Sequence, residues 1–168
     1  IRLQGSGNIG ATNVAREAGV LPGLLTLAGD VFKGALPVYL ARTAFGAAHG
    51  SGDVYLAAVA LAAFLGHLFP LYLKFRDGGK GVATAAGCFA VISLPAVLAV
   101  CGIFTAMLLV ARRVSVGSLC AAAALPVAIW LTTSSVVMML SASMVALLIF
   151  IRHHANIKRL LGGTEPAF

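Results

Sequence analysis

Four short polar segments carry nearly all the chemistry this chain can do. The first runs Gly5-Ser6-Gly7-Asn8-Ile9-Gly10-Ala11-Thr12-Asn13-Val14-Ala15-Arg16. Its glycines let backbone N–H groups approach an anion, Ser6, Asn8, Thr12 and Asn13 add donors, and Arg16 adds a planar, fork-shaped cation. The opening matches G-x-G-x-x-G, and Asp30 lies 20 residues beyond Gly10. A dinucleotide fingerprint also needs a preceding strand and a soluble βαβ unit, and the sequence offers neither. What survives is a loop suited to an anion, since plain solvated loops rarely concentrate so many donors between apolar runs.

The second segment is Lys74 to Thr84, with Gly78-Gly79-Lys80-Gly81 at its centre. It is not a Walker A loop: Gly81 follows Lys80 where Ser or Thr is required, and the upstream glycine spacing is wrong. Gly-Gly-Lys-Gly leading into a helix is still phosphate chemistry, because backbone amides and a helix N-terminus face the anion while Lys80 supplies a point charge. A basic anchor on anionic lipid would account for Lys74 and Arg76 but not for three glycines. The third segment is Arg112-Arg113-Val114-Ser115-Val116-Gly117-Ser118, and the fourth runs from Arg152 to Glu165. In the fourth, His153 and Asn156 are three apart and share a helix face, whereas His154 reads as a solvated interfacial residue. His67 is either a hydrogen-bonded packing histidine or a functional intramembrane group. Asp30 and Lys33, three apart on one helix, are expected to neutralise each other or to line a polar cavity. Four anion-binding segments point to a substrate with more than one phosphate, or to two phosphorylated substrates.

The elements that must position these segments are membrane helices. Of 168 residues, 60% are apolar and 10% charged, and mean hydropathy is +1.00. Ordinary soluble domains run at about 25% charged. Gly81–Ala111 holds 31 residues without Asp, Glu, Lys or Arg, Val114–Ile151 holds 38, and Val54–Leu73 adds 20. About 20 apolar helical residues span a bilayer, so the chain reads as a polytopic transmembrane helical bundle, all-α. The 12 Lys and Arg against 5 Asp and Glu are read as membrane topology, not nucleic-acid binding. Breaks are expected near Ser93-Leu94-Pro95 and at Thr132-Thr133-Ser134-Ser135, giving six spans. In that arrangement Arg2, Arg16, Lys74, Arg76, Lys80, Arg112, Arg113, Arg152, Lys158 and Arg159 share the cytoplasmic face with every glycine-rich segment. Small residues such as Ala57-Ala58, Ala60, Ala62-Ala63 and Gly66 are expected to pack helices closely. Cys88, Cys101 and Cys120 lie inside apolar runs and read as packing residues, with no metal-ligand spacing.

Taken together and in order, these motifs resemble those of the PlsY family, bacterial acyl-phosphate:glycerol-3-phosphate acyltransferases of the inner membrane. The residues that carry the resemblance are Gly5-Ser6-Gly7-Asn8-Ile9-Gly10 through Thr12-Asn13 and Arg16, Asp30 with Lys33-Gly34, Gly66-His67 with Phe69-Pro70, Gly78 to Thr84, Ser115 with Ser118, Arg152-His153 with Asn156-Ile157, and Gly163-Thr164-Glu165. The resemblance implies a single integral-membrane acyltransferase domain over residues 1–168. It also implies seven helices in the full-length protein, with the first expected ahead of Ile1, and an active site facing the cytoplasm.

The reaction it implies moves the acyl group of a fatty acyl phosphate to the sn-1 hydroxyl of glycerol 3-phosphate, giving lysophosphatidic acid and phosphate. The expected partners are those two substrates and membrane lipid, with no cofactor, metal, nucleic acid or obligate protein partner. By the same resemblance Ser6, Arg16, Lys80, His153 and Asn156 are the catalytic candidates. Gly5, Gly7, Asn8, Thr12, Asn13, Gly78, Gly79, Gly81, Thr84, Ser115 and Ser118 are expected to bind substrate or phosphate, and Glu165 to be structurally important. Substrate phosphate is expected to take the hydroxyl proton, with His153 as the rival base. Two departures stand out: Asp77 is an extra residue before Gly78, and Arg113 stands where the family commonly has Tyr. An organophosphate transporter or channel is the competing reading, and it predicts polar access from both faces rather than one.

Overall fold

The apolar runs fold as helices, and the breaks at Ser93 and Ser134 fall where the sequence gives them a cause. The computed structural model describes residues 1–45, 51–75 and 78–167; Arg76, Asp77 and most of the polar tip after Phe45 lie outside the described residues. The chain forms two compact units, Ile1–Ile92 and Ser93–Phe168.

The first unit holds α1 (Ala11–Ala18), α2 (Val20–Phe45), α3 (Ser51–Leu68), a 3₁₀ turn (Leu71–Leu73) and α4 (Val82–Ile92). α1 is short and amphipathic, burying Asn13 and Val14 while Arg16 and Glu17 stay at the surface. Gly19, at φ 99°, turns the chain directly into α2. α2 is the central helix of this unit and packs on α1, α3 and α4. Its contact with α4 is closest, and small residues make it so. A Cβ at Gly34 would strike the Thr84 carbonyl, and one at Gly87 would strike the Val31 carbonyl. Van der Waals contact between backbones, not hydrophobic burial, holds such helices together in lipid. Around this contact Val38, Ala60, Phe64 and Phe89 have no exposed surface. The Cys88 thiol reaches the Gly34 carbonyl at 3.4 Å and the Ala60 carbonyl at 3.7 Å, so it packs as expected. Arg42 Nη1 donates to the Val91 carbonyl, capping the last turn of α4.

The second unit holds α5 (Leu94–Ala111), α6 (Val114–Thr133), α7 (Val136–Arg152) and α8 (His154–Leu161). Ser93 is extended and caps α5, its Oγ accepting from Ala96 N at 3.3 Å, with Pro95 in the first turn. The same hydroxyl donates to Thr132 Oγ1 at 2.8 Å, tying the start of α5 to the end of α6. Arg112 and Ser134 end α5 and α6 in the left-handed region, their N–H groups returning to the Leu108 and Trp130 carbonyls. α7 and α8 meet at His153 with a bend of 59°.

Leu24, Leu25, Phe32, Leu98, Leu109, Val110, Leu131 and Leu147 are all exposed, which only an apolar solvent tolerates at this density. Among the described residues, α2, α5 and α6 are long and apolar enough to cross a membrane, and α7 with α8 makes a fourth, bent candidate. The protein is therefore an all-helical membrane protein with three or four apolar spans and the shorter apolar helices α3 and α4. The sequence led us to expect six spans, two of them short helices from the 31-residue run. The difference lies chiefly in α4: the 31-residue run does break at Ser93, but unequally, leaving 11 residues before the break. Those 11 residues rise about 16 Å, roughly half the thickness of the hydrocarbon core.

Candidate functional site

In the first unit the Gly5–Arg16 segment closes on Asn13. This side chain is buried, its Oδ1 accepting from Ser6 N at 2.9 Å and its Nδ2 donating to the Gln4 and Ile1 carbonyls at 3.2 and 3.3 Å. Gly5 and Gly7 sit at φ 56° and 68°, and a Cβ at Gly5 would collide with Asn13 Oδ1. Asn8 Oδ1 accepts from Gly10 N at 2.8 Å, an Asx turn that leads into α1. Asn13 and Asn8 thus spend amide groups on the loop itself. Ser6 and Arg16 lie at its surface and Thr12 is half-buried.

The Gly78–Gly81 segment lies against the end of α3. Gly79 N donates to the His67 carbonyl at 3.3 Å. A Cβ at Gly78 would meet the Leu68 and His67 carbonyls, one at Gly79 the His67 ring, and one at Gly81 the Phe64 ring. Gly81 also sits at φ 81°, and its carbonyl accepts from Ala85 N at 2.8 Å to start α4. All three glycines are therefore demanded by close approach. Lys80 is half-buried beside them, whereas Thr84 has no exposed surface and packs against Gly34.

Asp30 and Lys33 pair as the spacing suggested, Nζ to Oδ1 at 2.6 Å, and they also line a cavity. This open cavity, about 800 Å³, adds Arg2, Gln4 and Thr26 to the apolar side chains of Ile1, Leu3, Ile9 and Leu73. Its lining sets two cations and one carboxylate among apolar walls. Arg2 and Gln4 had no motif to announce them; only the fold brings them beside α2.

In the second unit Glu165 is the hub. Its carboxylate accepts from Asn156 Nδ2 at 2.6 Å and from Arg159 Nε at 2.7 Å, and its carbonyl accepts from Arg113 Nε at 3.1 Å. Burial pushes this carboxyl up, but the hydrogen bonds from Asn156 and Arg159 and the Arg159 charge outweigh it, and the carboxyl lies below its ordinary range. Ser115 Oγ stands beside the group but outside ordinary hydrogen-bond geometry. Ser115, Ser118 and Gly117 are buried near the start of α6, with Gly117 flush against the Phe104 carbonyl. His153 is buried at the α7–α8 bend, its Nδ1 2.8 Å from the Ile149 carbonyl. Since a carbonyl only accepts, that contact assigns the neutral ring's proton to Nδ1 and leaves Nε2 as a lone-pair nitrogen. Arg113 thus has a clear task in this chain, and Arg159 is a clamp that sequence spacing alone did not single out.

Fold and site define an integral membrane protein with tightly built, glycine-rich polar loops. Residues 1–163 match the family model described as glycerol-3-phosphate acyltransferase. The chain is 49% identical over 168 residues to the glycerol-3-phosphate acyltransferase of Syntrophotalea carbinolica, covering all of this chain and 83% of that one. It is 43% identical over 168 residues to that of Geobacter sulfurreducens, covering 84% of the relative. Its fold matches the crystal structure of PlsY, an integral membrane glycerol 3-phosphate acyltransferase, in the glycerol 3-phosphate form, with TM-score 0.92 and 36% identity over 99% of this chain and 81% of that one. The lysophosphatidic acid form matches with TM-score 0.89 and 35% identity, covering 97% of this chain and 81% of that one. The chain belongs to the glycerol-3-phosphate acyltransferase family, the PlsY membrane enzymes.

Proposed function

We propose that this chain is a glycerol-3-phosphate acyltransferase that takes its acyl group from a fatty acyl phosphate and produces lysophosphatidic acid. The observation that carries the reading is the Gly78-Gly79-Lys80-Gly81 cradle, where three backbone positions with no room for a side chain flank a half-buried lysine. Such a segment brings bare backbone and the Lys80 ammonium up to a phosphate, with the Gly79 N–H held by the His67 carbonyl. In the reaction the sn-1 oxygen of glycerol 3-phosphate attacks the acyl carbonyl carbon, and the bond from that carbon to the phosphate oxygen breaks. The hydroxyl proton passes to the departing phosphate, so the products are the acyl ester and hydrogen phosphate.

Both substrates are multiply anionic near neutrality, and the enzyme's first task is to hold two like charges close enough to react. Lys80 with Gly78, Gly79 and Gly81 receives one phosphate; Ser6 and Arg16, on the loop that Asn13 builds, contribute donors and a cation. His153 and Asn156 orient substrate from the α7–α8 bend, with Ser115 and Ser118 supplying hydroxyls. Gly5, Gly7, Asn8 and Thr12 shape the first loop, and Thr84 seats α4 behind the cradle. We further propose one acyltransferase domain over 1–168, crossing the bacterial inner membrane six times with these segments on the cytoplasmic side. The support is that ten of twelve basic residues then share one face.

The test is release of phosphate from palmitoyl phosphate by the detergent-purified protein, with and without glycerol 3-phosphate. Glycerol-3-phosphate-dependent release with stoichiometric lysophosphatidic acid is expected. Flux of glycerol 3-phosphate into proteoliposomes without acyl transfer would replace the enzyme with a transporter.

A further inference from the structure

Asp30 and His67 take part in no step above, yet each is an ionisable side chain buried in an apolar helix. Such burial is costly and marks a task. Asp30 already has a partner in Lys33, at 2.6 Å. The same carboxylate oxygen nevertheless faces His67 Nδ1 at 3.5 Å, and that nitrogen is buried with no hydrogen-bond partner. Gly79 rests on this ring, because a Cβ there would run into Nε2 and Cε1. The His67 carbonyl accepts from Gly79 N, and Gly78 lies flush against the His67 and Leu68 carbonyls. The imidazole is thus the floor of the glycine segment, and the α2 carboxylate stands at one edge of that floor.

We propose that Asp30 and His67 form a positioning pair: Asp30 fixes the imidazole, and the imidazole sets the height of the Gly78–Gly79 backbone that carries Lys80 to a phosphate. This rests on the reading of that segment as a phosphate site. The phosphate could belong to the acyl donor or to glycerol 3-phosphate, and separate kinetics for each tell them apart.

His67→Phe keeps an aromatic floor and removes the nitrogen that Asp30 faces. Asp30→Asn keeps the volume and removes the charge, while Lys33, whose side chain is 42% exposed, can turn to solvent. The measurements are KM for palmitoyl phosphate, KM for glycerol 3-phosphate, inhibition by inorganic phosphate, and kcat per folded protein. Each variant is expected to raise one substrate KM and the inhibition constant for phosphate by about 10-fold, with kcat within about 3-fold. The substrate whose KM moves is the one the segment holds. The double variant is expected to be no worse than the poorer single one, since the two residues act through one floor. His67→Gln, which keeps a polar group toward Asp30, is expected to fall between wild type and Phe, and with Asp30→Asn it carries the test should the Phe variant not accumulate. Unchanged KM values, with activity lost only in proportion to folded protein, would reduce the pair to packing. Fully additive losses would show that Asp30 works by another route. Should the wild type form no lysophosphatidic acid, the functional reading fails by itself, and weakening of inorganic phosphate binding in His67→Phe still decides the positioning pair.

Discussion

In the proposed reaction Lys80 and His153 divide the chemistry at the scale of single residues. Lys80 is the compact charge of the glycine cradle, and losing a charged partner of a sequestered phosphate costs about 2–4 kcal/mol, roughly 30- to 1000-fold in kcat/KM. Lys80→Ala is expected to fall in that range when both substrates are varied. Lys80→Arg recovers only part, because a planar fork does not occupy the space of an ammonium flanked by glycines. His153 raises the question of the proton. Its Nδ1 is spent on the Ile149 carbonyl at 2.8 Å, so the ring is oriented and Nε2 carries a lone pair. A histidine base would impose an acid limb on kcat/KM, but so does a substrate phosphate whose second pKa is about 6. His153→Gln separates the two, since Gln hydrogen-bonds but cannot take a proton here. With substrate phosphate as the acceptor, that variant keeps measurable turnover and the same acid limb. Disappearance of the limb in a folded variant would make His153 the base.

Among the elements, the C-terminal strap after α8 carries a buried carboxylate that ties it back to that helix. Thr164 N returns to the Arg159 carbonyl at 2.8 Å, which folds Glu165 back onto Asn156 and Arg159. Because the folded Glu165 carboxyl lies below its ordinary value of 4.5, its stabilisation is present above that value. It is lost as pH falls through the lower folded value. Glu165→Gln removes the charge and keeps the shape. The gap in thermal stability between wild type and this variant is therefore expected to be full near neutrality and to close on acidification below about 4.5. A gap that stayed constant across that range would mean the charge contributes nothing. Element boundaries also show what a sequence can and cannot disclose. The breaks at Ser93 and Ser134 were legible because Ser93-Leu94-Pro95 is a cap followed by a first-turn proline and Thr132 to Ser135 is polar. The bend at His153 was not, since Arg152-His153-His154 contains neither Pro nor Gly, and the ring's contact with the Ile149 carbonyl has no signature in the sequence. Local contacts were legible where residue type and spacing carry them, as in the Asp30–Lys33 pair. The contacts of Asn13, Arg113 and Arg159 depend on which backbone folds back on which, and no periodicity encodes that.

For the whole molecule, charge and length bear differently on how the chain crosses the bilayer. Length and composition give three or four helices that reach across unaided. Charge supports the six passes proposed above, in which ten of twelve basic residues share a face. The two agree if α4, about half a bilayer long, makes its pass together with the flanking glycine segment. The phosphate cradle then lies below the headgroup level, where low dielectric strengthens its hold on an anion. Single cysteines at Arg112, Ser135 and Thr164, in a background lacking Cys88, Cys101 and Cys120, decide the matter. Gly117 is unsuitable as a probe, since a side chain there would meet the Phe104 carbonyl. Arg112 and Thr164 are exposed at helix ends, so substitution there leaves the packing intact. With a membrane-impermeant maleimide on intact cells, Ser135→Cys is expected to label, while Arg112→Cys and Thr164→Cys label only after lysis. Labelling of Arg112→Cys from outside would put α4 and α5 into one crossing and overturn the six-pass arrangement, because the turn between α5 and α6 would then lie on the outer side.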